Sequence, residues 1–161
     1  MQKGLVAYQL IGEGWDVSDH FGDGCDLVAE RKGVFRKIEL KAIDLNAIKK
    51  NGRATQSMSA NEIVNSTHLI VSVFNGIFHD STYIMTIRQF VENSGVKKYD
   101  EYGSYEAFIE DYKKMSLKKS QQKKNTKQKQ DRLYFDLSFN PSDIEKWKLY
   151  CFKDQWENLE L

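Results

Sequence analysis

The sequence predicts an α/β fold, a central mixed β-sheet flanked by helices, with a C-terminal α+β extension after residue 95. Three observations carry this. Two strand-like runs, 25–30 and 34–43, flank Arg31-Lys32-Gly33, where Lys32-Gly33 can serve as a two-residue hairpin turn. Residues 68–74 (HLIVSVF) form an unbroken apolar run, as expected of a central strand buried on both faces. Helical signals alternate with these strands: Ser59 and Glu62 have capping-box spacing, and Tyr105, Phe108, Ile109 and Tyr112 form an i, i+3, i+4, i+7 stripe.

Taken in order, residues 3–12 read as a short helix with Gly12 at its stop, and 15–17 as a short strand. A glycine-bearing loop at 20–24 leads into the hairpin. A polar stretch from 44 to 56 precedes a helix over 60–66, which Ser59 caps. After the central strand, Asn75-Gly76 marks a turn into a partner strand at 82–87. Ser104 caps the helix carrying the aromatic stripe, which is core. From Lys113 to Lys129 there are eight lysines and no acid, a composition that buries too little apolar surface to order itself. A mobile loop over 113–130 is therefore expected. A last strand at 133–139 and a helix begun by Asn140-Pro141 and running toward Tyr150 complete the chain. Trp147, Tyr150 and Trp156 on that C-terminal segment are read as packing residues rather than base-stacking ones.

The 161 residues fit one domain, with a core over 3–92, and need no disulfide or structural metal for stability. Cys25 and Cys151 form no scaffold, and neither has a His or Cys at zinc-ligand spacing. His20, His68 and His79 form no metalloprotease pattern. No apolar run approaches the roughly 20 residues a membrane span needs, so a reduced cytoplasmic protein is expected. The net charge of +1 leaves any argument for a nucleic-acid partner to charge placement.

Chemistry concentrates in Gly24-Cys25-Asp26-Leu27-Val28 and Ile38-Glu39-Leu40-Lys41. With Lys32 and Gly33 as the turn, Asp26 falls opposite Glu39, and directly opposed residues share a face with Cβ atoms roughly 4.5–5.5 Å apart. Lys41, two residues on, shares that face. Two opposed carboxylates destabilise a hairpin unless a cation compensates them. Hard oxygen ligands on few side chains suit Mg²⁺, which keeps several waters and shares its shell with phosphate. Such an ion polarises a phosphoryl oxygen and acidifies a bound water, while Lys41 can orient that water or stabilise developing charge. The second E-x-K, Glu30-Arg31-Lys32, runs into the turn and is set aside.

A short helix, a Gly14-Trp15-Asp16-Val17 strand, the Asp26 strand, a turn, the Glu39-Leu40-Lys41 strand, a helix and a strand follow one another in this order. That layout resembles the restriction-endonuclease-like PD-(D/E)xK nuclease superfamily over residues 3–90, and is similar to its archaeal Holliday-junction resolvases and homing endonucleases. The resemblance implies a Mg²⁺-dependent endonuclease acting on DNA, with Mn²⁺ as a substitute. Asp26 and Glu39 would be metal ligands, the Leu40 carbonyl a third, and Lys41 the catalytic assistant. Cys25 stands where the family's nominal proline would be. Many members complete the metal shell from the first helix, where this chain offers Gln2, Gln9 and Glu13. A glutamine on the helix after E-x-K is also frequent, and Gln56 is the candidate. A homodimer is a further implication of the resemblance.

Beside such a site, Lys118, Lys119, Lys123, Lys124, Lys127 and Lys129 would track phosphates, whereas alone they read equally well as a solvated loop. Asp26 and Glu39 also admit a bland reading as solvated strand-end residues. The alternative from another class is a nuclease fold kept as a non-catalytic nucleic-acid-binding or scaffolding module.

Overall fold

The computed structural model describes residues 2–20, 24–48, 53–94, 99–121, 132–138 and 141–161, with side chains left out at 47, 53–57, 118–121, 132–138 and 141. In chain order the helices are α1 (Gln2–Gly12), α2 (Ala60–Asn65), α3 (Ile87–Asn93) and α4 (Tyr105–Gln121). The strands are β1 (Asp16–Asp19), β2 (Leu27–Arg31), β3 (Val34–Asp44), β4 (Arg53–Ser59), β5 (His68–Asn75), β6 (Phe78–Thr86) and β7 (Arg132–Ser138). Five strands form the main sheet in the order β1-β2-β3-β5-β6, and β4 pairs with β7 in a second sheet.

The β2–β3 hairpin sets the register of everything that follows. Lys32 and Gly33 both adopt positive φ, 53° and 80°, the combination a two-residue hairpin turn of the twist-compatible type requires. The Gly33 amide donates to the Glu30 carboxylate, which steadies a turn whose first residue is an unfavourable lysine. Pairing then runs from Arg31↔Val34 to Leu27↔Ile38, the register the turn implies. On its other edge β3 runs parallel to β5, which is antiparallel to β6, so the sheet is mixed. β5 is buried from His68 to Phe74, as its continuous apolar run requires.

Alternation along β3 divides its side chains between two cores. Leu27, Ala29, Ile38, Leu40, Ile70 and Ile84 pack with Val6 and Leu10 of α1. On the opposite face Ile43, Leu69, Val71 and Tyr83 pack with Ile63 of α2, Phe90 of α3 and Phe108 of α4. Glu39 and Lys41 therefore fall on the α2 face, which also carries the apolar Ile43, Leu69 and Val71.

Several elements differ from the sequence expectation. The polar stretch 44–56 contains a 3-10 turn (Leu45–Ala47) and the start of β4, because the partner strand β7 supplies hydrogen bonds that a local reading cannot see. β6 begins at Phe78 rather than 82, and Ile87 opens α3, closed at its start by a reciprocal Thr86–Gln89 capping box. The loop expected from Lys113 is helix as far as Gln121. Lysine and glutamine are good helix formers, and α4 leans on α2, with Ser116 donating to the Asn61 side chain. Residues 122–130 of that stretch lie outside the described residues. The expected C-terminal helix is instead a series of 3-10 turns, Pro141–Lys146, Tyr150–Phe152 and Trp156–Glu160, the first broken at Asp143 (φ −125°, ψ 27°). Phe152 on the second of these turns and Trp147 just after the first are buried, and Trp147 meets Tyr83 edge-on at 4.7 Å, so the packing reading of this segment holds.

Candidate active site

The hairpin ladder stops one pair short of Asp26. Where a strict ladder would set Asp26 opposite Glu39, the Asp26 amide donates to the Ile38 carbonyl (2.8 Å), and its Oδ2 accepts from the Leu40 amide (2.9 Å). The aspartate thus caps the open edge of β3 with its side chain, which fixes the carboxylate and separates it from direct opposition to Glu39. Because the N–H and C=O of one strand residue project toward the same neighbour, the Leu40 carbonyl also faces the edge where Asp26 sits.

The loop before Asp26 is seated on α2. Ser66 Oγ donates to the Gly24 carbonyl (2.6 Å), and Gly24 adopts φ +110°. A Cβ at Gly24 would lie 2.6 Å from Asn65 Cβ and 2.9 Å from the Asn61 carbonyl oxygen, so only glycine permits this approach. The thiol of Cys25, beside it, is buried, and burial pushes its pKa up, which removes it as a nucleophile.

Glu39 is 5% exposed. Its carboxylate accepts from Lys41 Nζ at 2.6 Å, and Glu62 Oε1 lies 3.4 Å from the same ammonium. Burial is the largest influence on Glu39 and pushes its pKa up to about 7; Lys41 opposes the rise, and the charges of Glu62 and Asp26 add to it. One lysine therefore does not offset the burial of this carboxylate. Two carboxylates and a carbonyl form a hard oxygen donor set of the kind that takes Mg²⁺, and a divalent cation would favour the ionised form of Glu39 against its burial. Asp26, Glu39 and the Leu40 carbonyl are the groups that fit it. Among the described residues no group of three or more His, Cys, Asp or Glu side chains stands ready to hold a metal ion, so water and substrate would complete the shell.

Asp26, Glu39 and Lys41 thus meet at one end of the β2–β3 hairpin. Gln9 turns to β6, where its Oε1 accepts from Thr82 Oγ1 (3.3 Å), itself bonded to His79 (2.8 Å). Glu13 sits at the turn end of β2, its backbone carbonyl accepting from Arg31 (3.0 Å). α1 lies on the sheet face opposite Glu39, which accounts for Gln9, and Glu13 lies in the turn after α1. Gln56 is on β4, paired with Phe135, and not on the helix after E-x-K; its side chain is outside the description. Lys118 and Lys119 lie on the last turns of α4 with their side chains likewise undescribed, and Lys123, Lys124, Lys127 and Lys129 lie outside the described residues.

Sequence reasoning missed Glu62 as a site residue, because it was read only as the third position of a capping box. The box is present: Ser59 Oγ accepts from the Glu62 amide, and Glu62 Oε2 accepts from the Ser59 amide. That geometry leaves Oε1 free to face Lys41. The usable signal was an acid at the first turn of the first helix after the E-x-K strand.

No family model matches the chain, and no curated protein matches it by sequence. In structure it is similar to the bacterial homing endonuclease I-Ssp6803I, at 17% identity and a TM-score of 0.45, over 56% of this chain and 63% of that one. It is also similar to Hjc, the Holliday junction resolvase of the archaeal hyperthermophile Archaeoglobus fulgidus, at 14% identity and a TM-score of 0.37, over 54% and 70% of the two chains. The chain spans less than two thirds of the length of the homing endonuclease it matches. The fold is α/β, a mixed five-stranded sheet with flanking helices.

Proposed function

We propose that this chain is a Mg²⁺-dependent endonuclease that hydrolyses DNA phosphodiester bonds, with Mn²⁺ able to replace Mg²⁺. The observation that carries the reading is the polar patch itself. On the sheet face that packs against α2, α3 and α4, the chain keeps a buried glutamate with a strongly raised pKa, a lysine 2.6 Å from it, and an aspartate locked to the Leu40 amide. Burying charged groups is costly even when they are paired, and carboxylates perturbed by burial beside charged partners gather at functional sites.

Asp26 and Glu39 are the side-chain ligands and Leu40 supplies a carbonyl. The bound cation supplies Lewis-acid polarisation and a water of lowered pKa. Lys41 keeps its ammonium at the same patch, where it orients the attacking water or offsets charge developing on the phosphoryl group. The Leu40 amide, spent on Asp26 Oδ2, holds that carboxylate in a single orientation. The lysine-rich end of α4 begins beside α2, so the residues from Lys118 to Lys129 would track the backbone phosphates of DNA. A cytoplasmic location and a homodimer that cuts both strands complete the reading; no helix of the described residues is long and apolar enough to cross a membrane.

A panel of duplex, single-stranded and branched DNA, incubated with Mg²⁺ or Mn²⁺ and with EDTA, tests this. Cleavage that needs the metal and disappears in Asp26→Ala is the expected result. The second reading, a non-catalytic nucleic-acid-binding module, is favoured by one observation: the Gln9 side chain of α1 is bonded to Thr82 of β6 and not turned to the patch. DNA binding without cleavage under every metal condition would establish it instead.

A further inference from the structure

Lys41 is shared between two carboxylates that sit on different elements. Glu39 shares its strand and face at 2.6 Å, whereas Glu62 approaches from α2 at 3.4 Å. The two anions are not equivalent. Glu39 is one of the groups that fit a cation, and a carboxylate committed to a cation holds an ammonium poorly. Glu62 has a different commitment, because its Oε2 closes the capping box on the Ser59 amide while the Glu62 amide donates to Ser59 Oγ. Those two bonds lock the Glu62 rotamer to the start of α2 and aim Oε1 at Lys41. Glu62 is partly exposed, at 24% of its side chain, against 6% for Glu39, so its charge is the less costly one to keep. Among the described residues these two carboxylates are the ones paired with Lys41.

We propose that Glu62 is the positioning residue for Lys41, taking up the ammonium when Glu39 is engaged by a cation and holding it at the reacting phosphate. The inference rests on the nuclease reading above. Glu62 touches neither substrate nor cation and acts only through Lys41. Its place in a capping box makes the N-terminal turn of α2 part of the site, so that a motif read as helix punctuation also fixes a catalytic lysine.

Glutamine serves the third position of a capping box as well as glutamate does, so Glu62→Gln keeps the helix start and removes only the charge facing Lys41. The expected result is an unchanged melting temperature, a kcat lowered roughly 10- to 100-fold, and an unchanged KM for DNA. Mn²⁺ binding to the DNA-free protein, measured by calorimetry, gives a readout independent of turnover. Glu62→Gln should weaken it about tenfold, because Lys41 then stays on Glu39, and should not change it in a Lys41→Met background. Equal weakening in both backgrounds, or unchanged kcat and unchanged Mn²⁺ affinity in Glu62→Gln, would overturn the assignment while leaving the nuclease reading intact. A wild-type protein that neither binds Mn²⁺ nor cuts DNA would remove both.

Discussion

Replacing Gly24 with alanine should separate the fold from the site, and its size can be worked from the contacts. The added methyl would lie 2.6 Å from Asn65 Cβ, 2.8 Å from Asn65 Nδ2 and 2.9 Å from the Asn61 carbonyl oxygen, where ordinary contact begins at 3.4 Å. The amide nitrogen can swing aside, but a Cβ and a backbone oxygen cannot. Overpacking of this kind costs about 1–3 kcal/mol. Holding a non-glycine residue at φ +110° adds about 1–3 kcal/mol. The whole penalty is therefore about 2–6 kcal/mol if the loop stays seated on α2. Lifting the loop relieves it but breaks the 2.6 Å Ser66–Gly24 bond and moves Asp26, two residues on. Urea unfolding and DNA cleavage read the two routes. A lowered urea midpoint with cleavage retained means the loop stayed; near-normal stability with cleavage lost means it lifted. Gly33→Ala is the control, since nothing lies within 4 Å of its Cβ and only its φ of +80° is disturbed. A Gly24→Ala protein with both wild-type stability and wild-type cleavage would refute the close approach as the device that seats Asp26.

Lys41→Ala should abolish cleavage while DNA binding persists, since the ammonium acts at the reacting group; a folded variant that still cuts would remove Lys41 from the mechanism. His68 should make the protein acid-sensitive. Its Nε2–H donates to the Asn158 carbonyl (2.9 Å), its Nδ1 lies 2.9 Å from the Thr67 hydroxyl oxygen, and burial holds the ring pKa down at about 4. The folded state binds the proton less readily than the unfolded one, so this contribution is complete above pH 6.5, falls as pH drops toward 4, and is flat below. At pH 5 the loss is about 2 kcal/mol, read as the pH-dependent difference between wild type and His68→Gln in urea unfolding, and a difference that does not change with pH would refute it. Gly4→Ala, inside α1 with nothing within 4 Å of the new Cβ, should stabilise by about 0.5–1 kcal/mol, and a lower melting temperature would contradict that account.

The parts of the fold legible in the sequence are those specified by neighbours in the chain. Lys32-Gly33 dictates both its own turn and the β2–β3 register, and Ser59-x-x-Glu62 dictates the start of α2. β4 was illegible because its order comes from β7, more than 70 residues away, through the pairing of Arg53 with Ser138. The second half of α4 was read as loop because lysine density suggested a segment unable to bury itself. Helix propensity and the docking of Ser116 on Asn61 supply what burial of the lysines does not. α3 was missed for a different reason: its Thr86-x-x-Gln89 box sits at the end of an apolar strand, and β-branched residues on both sides conceal the change of period.

The site shows the same division more sharply. Asp26, Glu39 and Lys41 follow from period-2 alternation on two paired strands, so counting from the turn was enough to place them at one end of the hairpin. Counting could not show that Asp26 leaves the ladder and spends one oxygen on the Leu40 amide, because that is settled by how the preceding loop docks on α2. Nor could it place Gln9, since a helix crossing the far face of a sheet presents its residues according to its crossing, and the sequence does not encode that locally. Glu62 lies between these cases. Its direction is fixed by three residues of local sequence, but its relevance depends on β3 and α2 meeting across the connection from 45 to 58. A residue that satisfies a local rule fully is easily taken as explained by it. Here the rule consumes one carboxylate oxygen, and the other, 3.4 Å from Lys41, is the one that reaches the site.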